Sequence, residues 1–426
     1  MNFRKNCRPA FFAGLLIAGC LWPGPAVAVA GGFQTIEQSS RALGMGGISV
    51  GCFNDPAAIH TNPALLSFLE GTNLSFGSTV VLPEHRFTLA GAGESTVKMM
   101  SQVFFPPNFS IMHTFGNGVG LAFSTTVPFM LQTEWDQDWV GKRIATKSQL
   151  RSTVFSPALG FRLSSGMSVG VALNLAATHV QWSRRIGFPP PQENEPDGTV
   201  TMDGDSRFGV GFQASLLFQP NDVWSLGAVF QSRMNVDIDK GQIRYTDIPS
   251  DLLANYTDGS ASSHLTLPES FRIGLGFRPF GRIFLGAEAQ FTGWSSFDAI
   301  TITYQNAVPA SDDIRQEWRD SFTLRGGIEI GFSDLNLRAG IVFDQTPVPD
   351  SYVRPSMPDA DRLGYCVGFG YLVGEGLTID FAIASFKYKD RNVVNSRVEY
   401  QPGKFFNGLY TSSSTAVGLN VAYAWN

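Results

Sequence analysis

Met167-Ser168-Val169-Gly170-Val171-Ala172-Leu173-Asn174-Leu175 is the stretch on which the fold turns. Its odd positions are large and apolar and its even positions small or polar, a period of two that belongs to a β-strand. The same pattern returns in Phe271-Ile273-Leu275-Phe277, in Phe322-Leu324-Gly326-Ile328-Ile330 and in Leu377-Ile379-Phe381-Ile383. Between those residues stand Arg272, Arg278, Arg325, Glu329 and Asp380, with Gly, Ala and Thr. A soluble sandwich turns its bulky face inward and its charges to water. The opposite arrangement, a dry core on the small face, would bury arginine and glutamate at high cost. That cost vanishes when the bulky face meets lipid and the small face lines a polar lumen. Sheet exposed to lipid must close on itself, because an open edge leaves N–H and C=O groups unsatisfied in hydrocarbon. The expected fold is therefore all-β, a transmembrane antiparallel β-barrel.

Extending the pattern along the chain gives about fourteen strands, over 72–82, 108–115, 118–128, 149–163, 167–182, 205–218, 223–237, 264–278, 282–294, 319–332, 334–344, 363–372, 376–387 and 413–425. Their connections alternate between short turns, such as Gly116-Asn117 and Pro279-Gly281, and long loops, such as 129–148 and 183–204. Short periplasmic turns and long external loops are the habit of outer-membrane barrels, and an even strand number leaves both barrel ends on the periplasmic side. Trp182, Trp224, Trp294, Tyr371 and Trp425 fall near strand ends and are expected in the interfacial girdles. The last strand, Val417-Leu419-Val421-Tyr423-Trp425, resembles the signal read by barrel-assembly machinery, although Asn426 follows the aromatic.

Composition agrees. Charged residues make up 16% of the chain, below the roughly 25% of soluble domains, yet the mean hydropathy of +0.01 excludes a bundle of membrane helices. A net charge of −5 without any basic stripe gives no case for nucleic acid. Residues 1–30 read as a signal peptide: Arg4, Lys5 and Arg8 precede the apolar stretch Ala10 to Trp22, and Ala26-Val27-Ala28 and Ala28-Val29-Ala30 match the cleavage pattern. Ile17-Ala18-Gly19-Cys20 resembles a lipobox, but a better cleavage site lies downstream and a barrel needs no lipid anchor. The barrel proper spans 72–426. In 31–71, Asp55-Pro56 and Asn62-Pro63 each set a capping residue before a proline, which predicts two short helical turns. Low charge and apolar residues such as Phe33, Leu43, Ile48 and Leu66 argue for a plug in the lumen over a solvated tail.

Several short motifs then fall in order. They are Gly32-Phe33-Gln34, Asn54-Asp55 followed by Asn62-Pro63-Ala64, Leu267-Pro268-Glu269, Thr292-Gly293-Trp294-Ser295, and Pro347-Val348-Pro349 with Pro358-Asp359-Ala360-Asp361-Arg362. On these the chain resembles the FadL family of outer-membrane transporters of hydrophobic compounds, over essentially its whole mature length. The resemblance implies a fourteen-strand barrel closed by an N-terminal hatch. It also implies passive uptake of long-chain fatty acids or aromatic hydrocarbons, with sideways exit beside a kinked third strand. By the same resemblance Arg184 and Arg319 stand where the family carries two pocket cations, and Asp55, Asn62, Pro63 and Ala64 where it carries its hatch motif.

Guanidinium groups suit a carboxylate, which they bind in bidentate fashion. Cys52 and Cys366 are the two cysteines left after cleavage; Cys366 has inward parity, so a bridge between hatch and wall is open to them. Catalysis finds no support: His60, His85, His113, His179 and His264 are scattered, no G-x-S-x-G occurs, and no metal spacing or cofactor motif is present. The rival readings are a general diffusion porin, which lacks a plug, and a barrel enzyme such as an outer-membrane lipase. The expected setting is the outer membrane of a Gram-negative bacterium, with membrane lipids and the assembly machinery as partners and the chain as a monomer.

Overall fold

The computed structural model describes residues 31–35, 38–51, 59–91, 95–304 and 311–425. The expected signal peptide, Cys52 and Asp55 lie outside them. The fold is a closed 14-strand antiparallel barrel. Its strands are β1 (Gly71–Leu89), β2 (Pro107–Thr114), β3 (Val119–Glu134), β4 (Lys147–Ser164), β5 (Met167–Ile186), β11 (Leu335–Asp344), β12 (Arg362–Val373), β13 (Leu377–Tyr388) and β14 (Gly408–Trp425). Between β5 and β11 each strand is broken in two: β6 (Gly198–Asp205, Gly209–Phe218), β7 (Trp224–Gln231, Met234–Thr246), β8 (Gly259–Leu267, Ser270–Phe280), β9 (Ile283–Thr292, Ala299–Tyr304) and β10 (Ser311–Arg315, Ser321–Phe332). Closure runs from Thr72↔Trp425 to Leu89↔Gly408 between β1 and β14.

The expected sense of the alternation holds. Leu173, Phe271, Phe322 and Leu419 are about half exposed on the outer face, as a lipid belt requires, while Arg325, Glu329 and Asp380 are buried on the inner face. The charges are paired there: Arg338 donates to Glu329 at 2.7 Å and also to Asp380, and Arg325 donates to Glu288 at 3.3 Å.

Residues 31–35, 38–51 and 59–70 lie within this ring, because their bonds reach wall strands on opposite sides. The short helix α1 (Ser40–Gly44) ties Ser40 to Asn420 of β14 at 2.8 Å and Arg41 to Glu329 of β10 at 2.9 Å. The backbone N–H groups of Ser49 and Val50 both donate to Glu288 of β9, at 2.9 and 3.0 Å. Asn62, fully buried, caps the 3₁₀ turn Pro63–Phe68 as its sequence foretold, and its amide reaches back to the Val50 carbonyl at 2.7 Å. Ala64 donates to Ser215 of β6 at 2.9 Å and accepts from Ser168 of β5 at 2.8 Å. Contact is so close here that a Cβ on Gly170 would strike the backbone of Pro63 and Ala64. Cys366 is buried with inward parity between the exposed Tyr365 and Val367, in a cluster with Leu43, Val342 and Phe386.

Candidate functional site

The breaks in the strands change what the lumen offers. Below its break β7 turns Val229 and Gln231 inward; above it Met234, Val236 and Ile238 turn inward. Gln231 and Met234 are three residues apart and share a face, so the break slips the alternation by one residue and exchanges the two faces. The same slip falls between Leu267 and Ser270 of β8 and between Gly204 and Gly209 of β6. Above this level the apolar face therefore points inward. The result is an apolar cavity of about 100 Å³ lined by Leu131, Leu150, Val180, Trp182, Met202, Ile238, Leu265, Phe297, Ile302, Ile314 and Met357. Among the described residues no charged one lines it; Ser148, Gln149, Gln181, Ser263, Gln316 and Ser356 supply its polar edge.

The N-terminal segment packs against this cavity. Phe33 is buried in an aromatic cluster, its ring centroid 4.8 Å from Trp294, 5.3 Å from Phe297, 5.6 Å from Trp318 and 6.0 Å from Phe129. Edge-to-face contacts of this kind add to the burial of the rings themselves. Gly32 has φ 66° and its absent Cβ would lie 2.8 Å from carbons of both Trp294 and Trp318, so only glycine fits. Its N–H donates to Asp359 Oδ2 at 3.2 Å, and Thr346 donates to the same oxygen at 2.6 Å.

Burial pushes the Asp359 carboxyl up to about 7, against the Thr346 hydrogen bond and the guanidinium groups of Arg362 and Arg391 and with help from Asp344. In the unfolded chain the group returns to about 4. A pKa raised by folding favours the folded state when the proton is on, so that contribution is complete below about pH 4 and is lost as pH rises through about 7. The loop that carries Asp359 is therefore expected to hold more firmly at pH 5 than at pH 8, read as slower hydrogen exchange of residues 346–361 after correction for intrinsic rates. Asp359→Asn is expected to flatten that difference. An equal protection at both pH values in the parent contradicts the assignment.

The wall is interrupted beside the same segment. Strands β2 and β3 pair only as far as Phe109↔Thr125, and β3 loses register with β4 between Thr126 and Phe129. Above that point the edge of β3 meets the N-terminal segment: Thr35 N donates to Pro128 O at 2.9 Å, Met130 N to Phe33 O at 3.0 Å, and the Gln38 amide brackets Val127 at 3.0 and 2.8 Å. Residues 99–106 reach β3 higher up, where Met100 N donates to Glu134 O at 2.8 Å. A second cavity, of about 90 Å³, lies in the interruption between Phe33, Gln34, Thr35, Val81, Phe104 and Met130, and shares Leu131 with the apolar one.

Arg184 is half-buried with its guanidinium 5.1 Å over the ring of Trp182, which puts it at the rim of the apolar cavity. Arg319 is exposed and does not line that cavity, because Trp318 takes the inward place beside it. The two arginines are not brought to one pocket wall. Trp182 and Trp294 also depart from expectation: the first lines the cavity and the second is fully buried against Phe33, whereas Trp224, Tyr371 and Trp425 are exposed as girdle residues should be. Sequence periodicity gave Phe33, Leu131 and Asp359 no special role. For Phe33 and Asp359 the signal lay in the short motifs, which converge here: Gly32-Phe33 touches Trp294 and Asp359.

A family model described as "Outer membrane protein transport protein (OMPP1/FadL/TodX)" matches residues 24–425. Outer membrane protein P1 of Haemophilus influenzae is 21% identical over 93% of this chain and 95% of its own length. The long-chain fatty acid transport protein of Escherichia coli strain K12 is 22% identical over 83% of this chain and 87% of its own. Among solved structures, a Pseudomonas aeruginosa FadL homologue matches with a TM-score of 0.82 at 20% identity, covering 93% of this chain and 100% of that one. The Pseudomonas putida toluene transporter TodX matches with a TM-score of 0.70 at 16% identity, covering 94% and 100%. The structures share the fold, and the family is one of transport channels in the outer membrane, not of enzymes. The chain belongs to the OMPP1/FadL/TodX family of outer-membrane transporters of hydrophobic compounds.

Proposed function

We propose that this chain takes up long-chain fatty acids or similar hydrophobic molecules by passive diffusion, with residues 31–71 as a hatch and a lateral exit through the interruption beside β3. One observation carries the reading: the apolar cavity abuts Phe33 on one side and, through Leu131, the interrupted wall on the other. Cargo would shed water above the membrane, displace the N-terminal segment and pass sideways into the bilayer without running the length of the lumen. Arg184, at the rim, is placed to meet a carboxylate that arrives with its chain in the cavity. The hatch motif Asn62-Pro63-Ala64 would hold the lower lumen shut through its bonds to Val50, Ser215 and Ser168. A monomer suffices, since cavity, hatch and interruption all belong to one chain.

The test is uptake of labelled oleate, toluene and maltose in a deletion strain with and without the gene, alongside conductance of the purified protein in planar bilayers. The chain is expected to speed uptake of at least one hydrophobic cargo, to leave maltose unaffected and to pass little current. A large, steady conductance would make it a diffusion porin instead.

A further inference from the structure

Below the apolar cavity lies a polar chamber of about 60 Å³, with room for a carboxylate or a few waters. Gln34 and Gln38 of the N-terminal segment, Ser49 and Thr61 of the hatch, and Thr126 and Pro128 at the interruption of β3 all face it. Two wall arginines reach it, Arg325 and Arg272, and their situations differ.

Arg325 is paired: it donates to Glu288 at 3.3 Å and to Gln290 at 2.9 Å, although its Nε has no acceptor among the described residues. Glu288 is in turn fully engaged, one oxygen with Arg325 and the other with the N–H groups of Ser49 and Val50. Arg272 has no hydrogen bond or ion pair with any described residue, and its Nε is enclosed without an acceptor. Among the described residues the chamber therefore holds one guanidinium beyond what its carboxylate neutralises. An enclosed cation left without a counter-charge is costly. A transient anionic partner removes that cost, and a guanidinium fork matches a carboxylate in geometry as well as charge.

We propose that Arg272 anchors a second, interior site, which receives the carboxylate of an amphiphilic cargo as it passes from the apolar cavity towards the interruption of β3. The position is consistent with such a role, since Gln34 and Thr35 line both the chamber and the cavity in the wall. An acid and a neutral hydrocarbon would then part ways at this point: the acid is held by its head beside the exit, whereas the hydrocarbon finds nothing to hold it. This inference rests on the transport reading above.

The experiment compares binding of radiolabelled laurate and lauryl alcohol to the full chain in nanodiscs, corrected against empty discs, for the parent, Arg272→Gln and Arg272→Lys. Losing a charge-assisted pair is expected to lower the ratio of laurate to alcohol affinity about tenfold in Arg272→Gln, with partial recovery in Arg272→Lys. The lysine variant keeps the charge in place, so it also reports if the glutamine variant fails to fold. A ratio unchanged in Arg272→Gln, the result for an arginine that is merely solvated, overturns the proposal. So does acetate in excess displacing laurate completely, which would make the chamber a small-anion site. A parent that binds neither probe instead overturns the transport reading, and this inference with it.

Discussion

Replacing Glu329 with alanine is expected to unseat the N-terminal segment and make the barrel leak. Glu329 stands between Arg41 of the segment and Arg338 of the wall, at 2.9 and 2.7 Å, and all three side chains are nearly inaccessible. Its removal leaves Arg41 without the ion pair that holds it to the wall and leaves Arg338 with Asp380 alone. Breaking a buried pair by deleting one partner costs about 3–5 kcal/mol, because the surviving charge stays desolvated. That corresponds to roughly two to four powers of ten in the ratio of docked to undocked segment. Arg41→Ala is expected to do much less, since Glu329 keeps Arg338. Planar-bilayer recordings check both: long open events in Glu329→Ala, few in Arg41→Ala. Equal behaviour of the two variants contradicts this account of what seats the segment.

Much of the barrel was legible in the sequence because the bilayer imposes one rule on every strand it contains. Residues 167–175 alternate in the same sense as 271–277, and all fourteen expected strands recur in the structure. The strand tops were less legible. Strand β3 runs on to Glu134 and β1 to Leu89, past the ends at 128 and 82 that the pattern gave. Above the bilayer no lipid enforces apolar-out, and residues such as Glu84, Arg86 and Gln132 do not alternate by size. The slips at the strand breaks hid the cavity for the same reason: Met234, Val236 and Ile238 read as outward in the frame of Trp224 and Leu226, but the break carries them inward.

The site was legible in pieces and not as a whole. Asn62-Pro63 announced a capped turn through local chemistry alone, and the structure has it. The association of Gly32-Phe33 with Trp294 and Asp359 joins residues hundreds of positions apart, and no periodicity encodes which strand ends meet. Arg319 shows the limit of placing a residue by motif position: shifting one place, from Arg319 to Trp318, exchanges outside for inside. Arg272 was recognisable as lumen-facing, but its lack of a counter-charge among the described residues depends on Glu288 being taken up by Arg325 and by two backbone N–H groups of the N-terminal segment.

On the proposed route, cargo leaves the apolar cavity only when the N-terminal segment lets go of β3. That edge cannot simply be left bare: the N–H of Met130 and the carbonyls of Val127 and Pro128 would lose their partners at a cost of about 1–3 kcal/mol for each group left buried. Release must therefore be brief, or the cargo and incoming water must replace what the segment supplied. Gln34 and Phe129 face each other as antiparallel bridge partners, close enough for a disulfide between cysteines at those positions. The decisive measurement is oleate and toluene uptake by cells carrying Gln34→Cys with Phe129→Cys, in a background of Cys52→Ser and Cys366→Ala, before and after oxidation. Oxidation is expected to stop uptake, and reductant to restore it in the same cells. Uptake that continues undiminished while the cross-link is intact would contradict the proposed route.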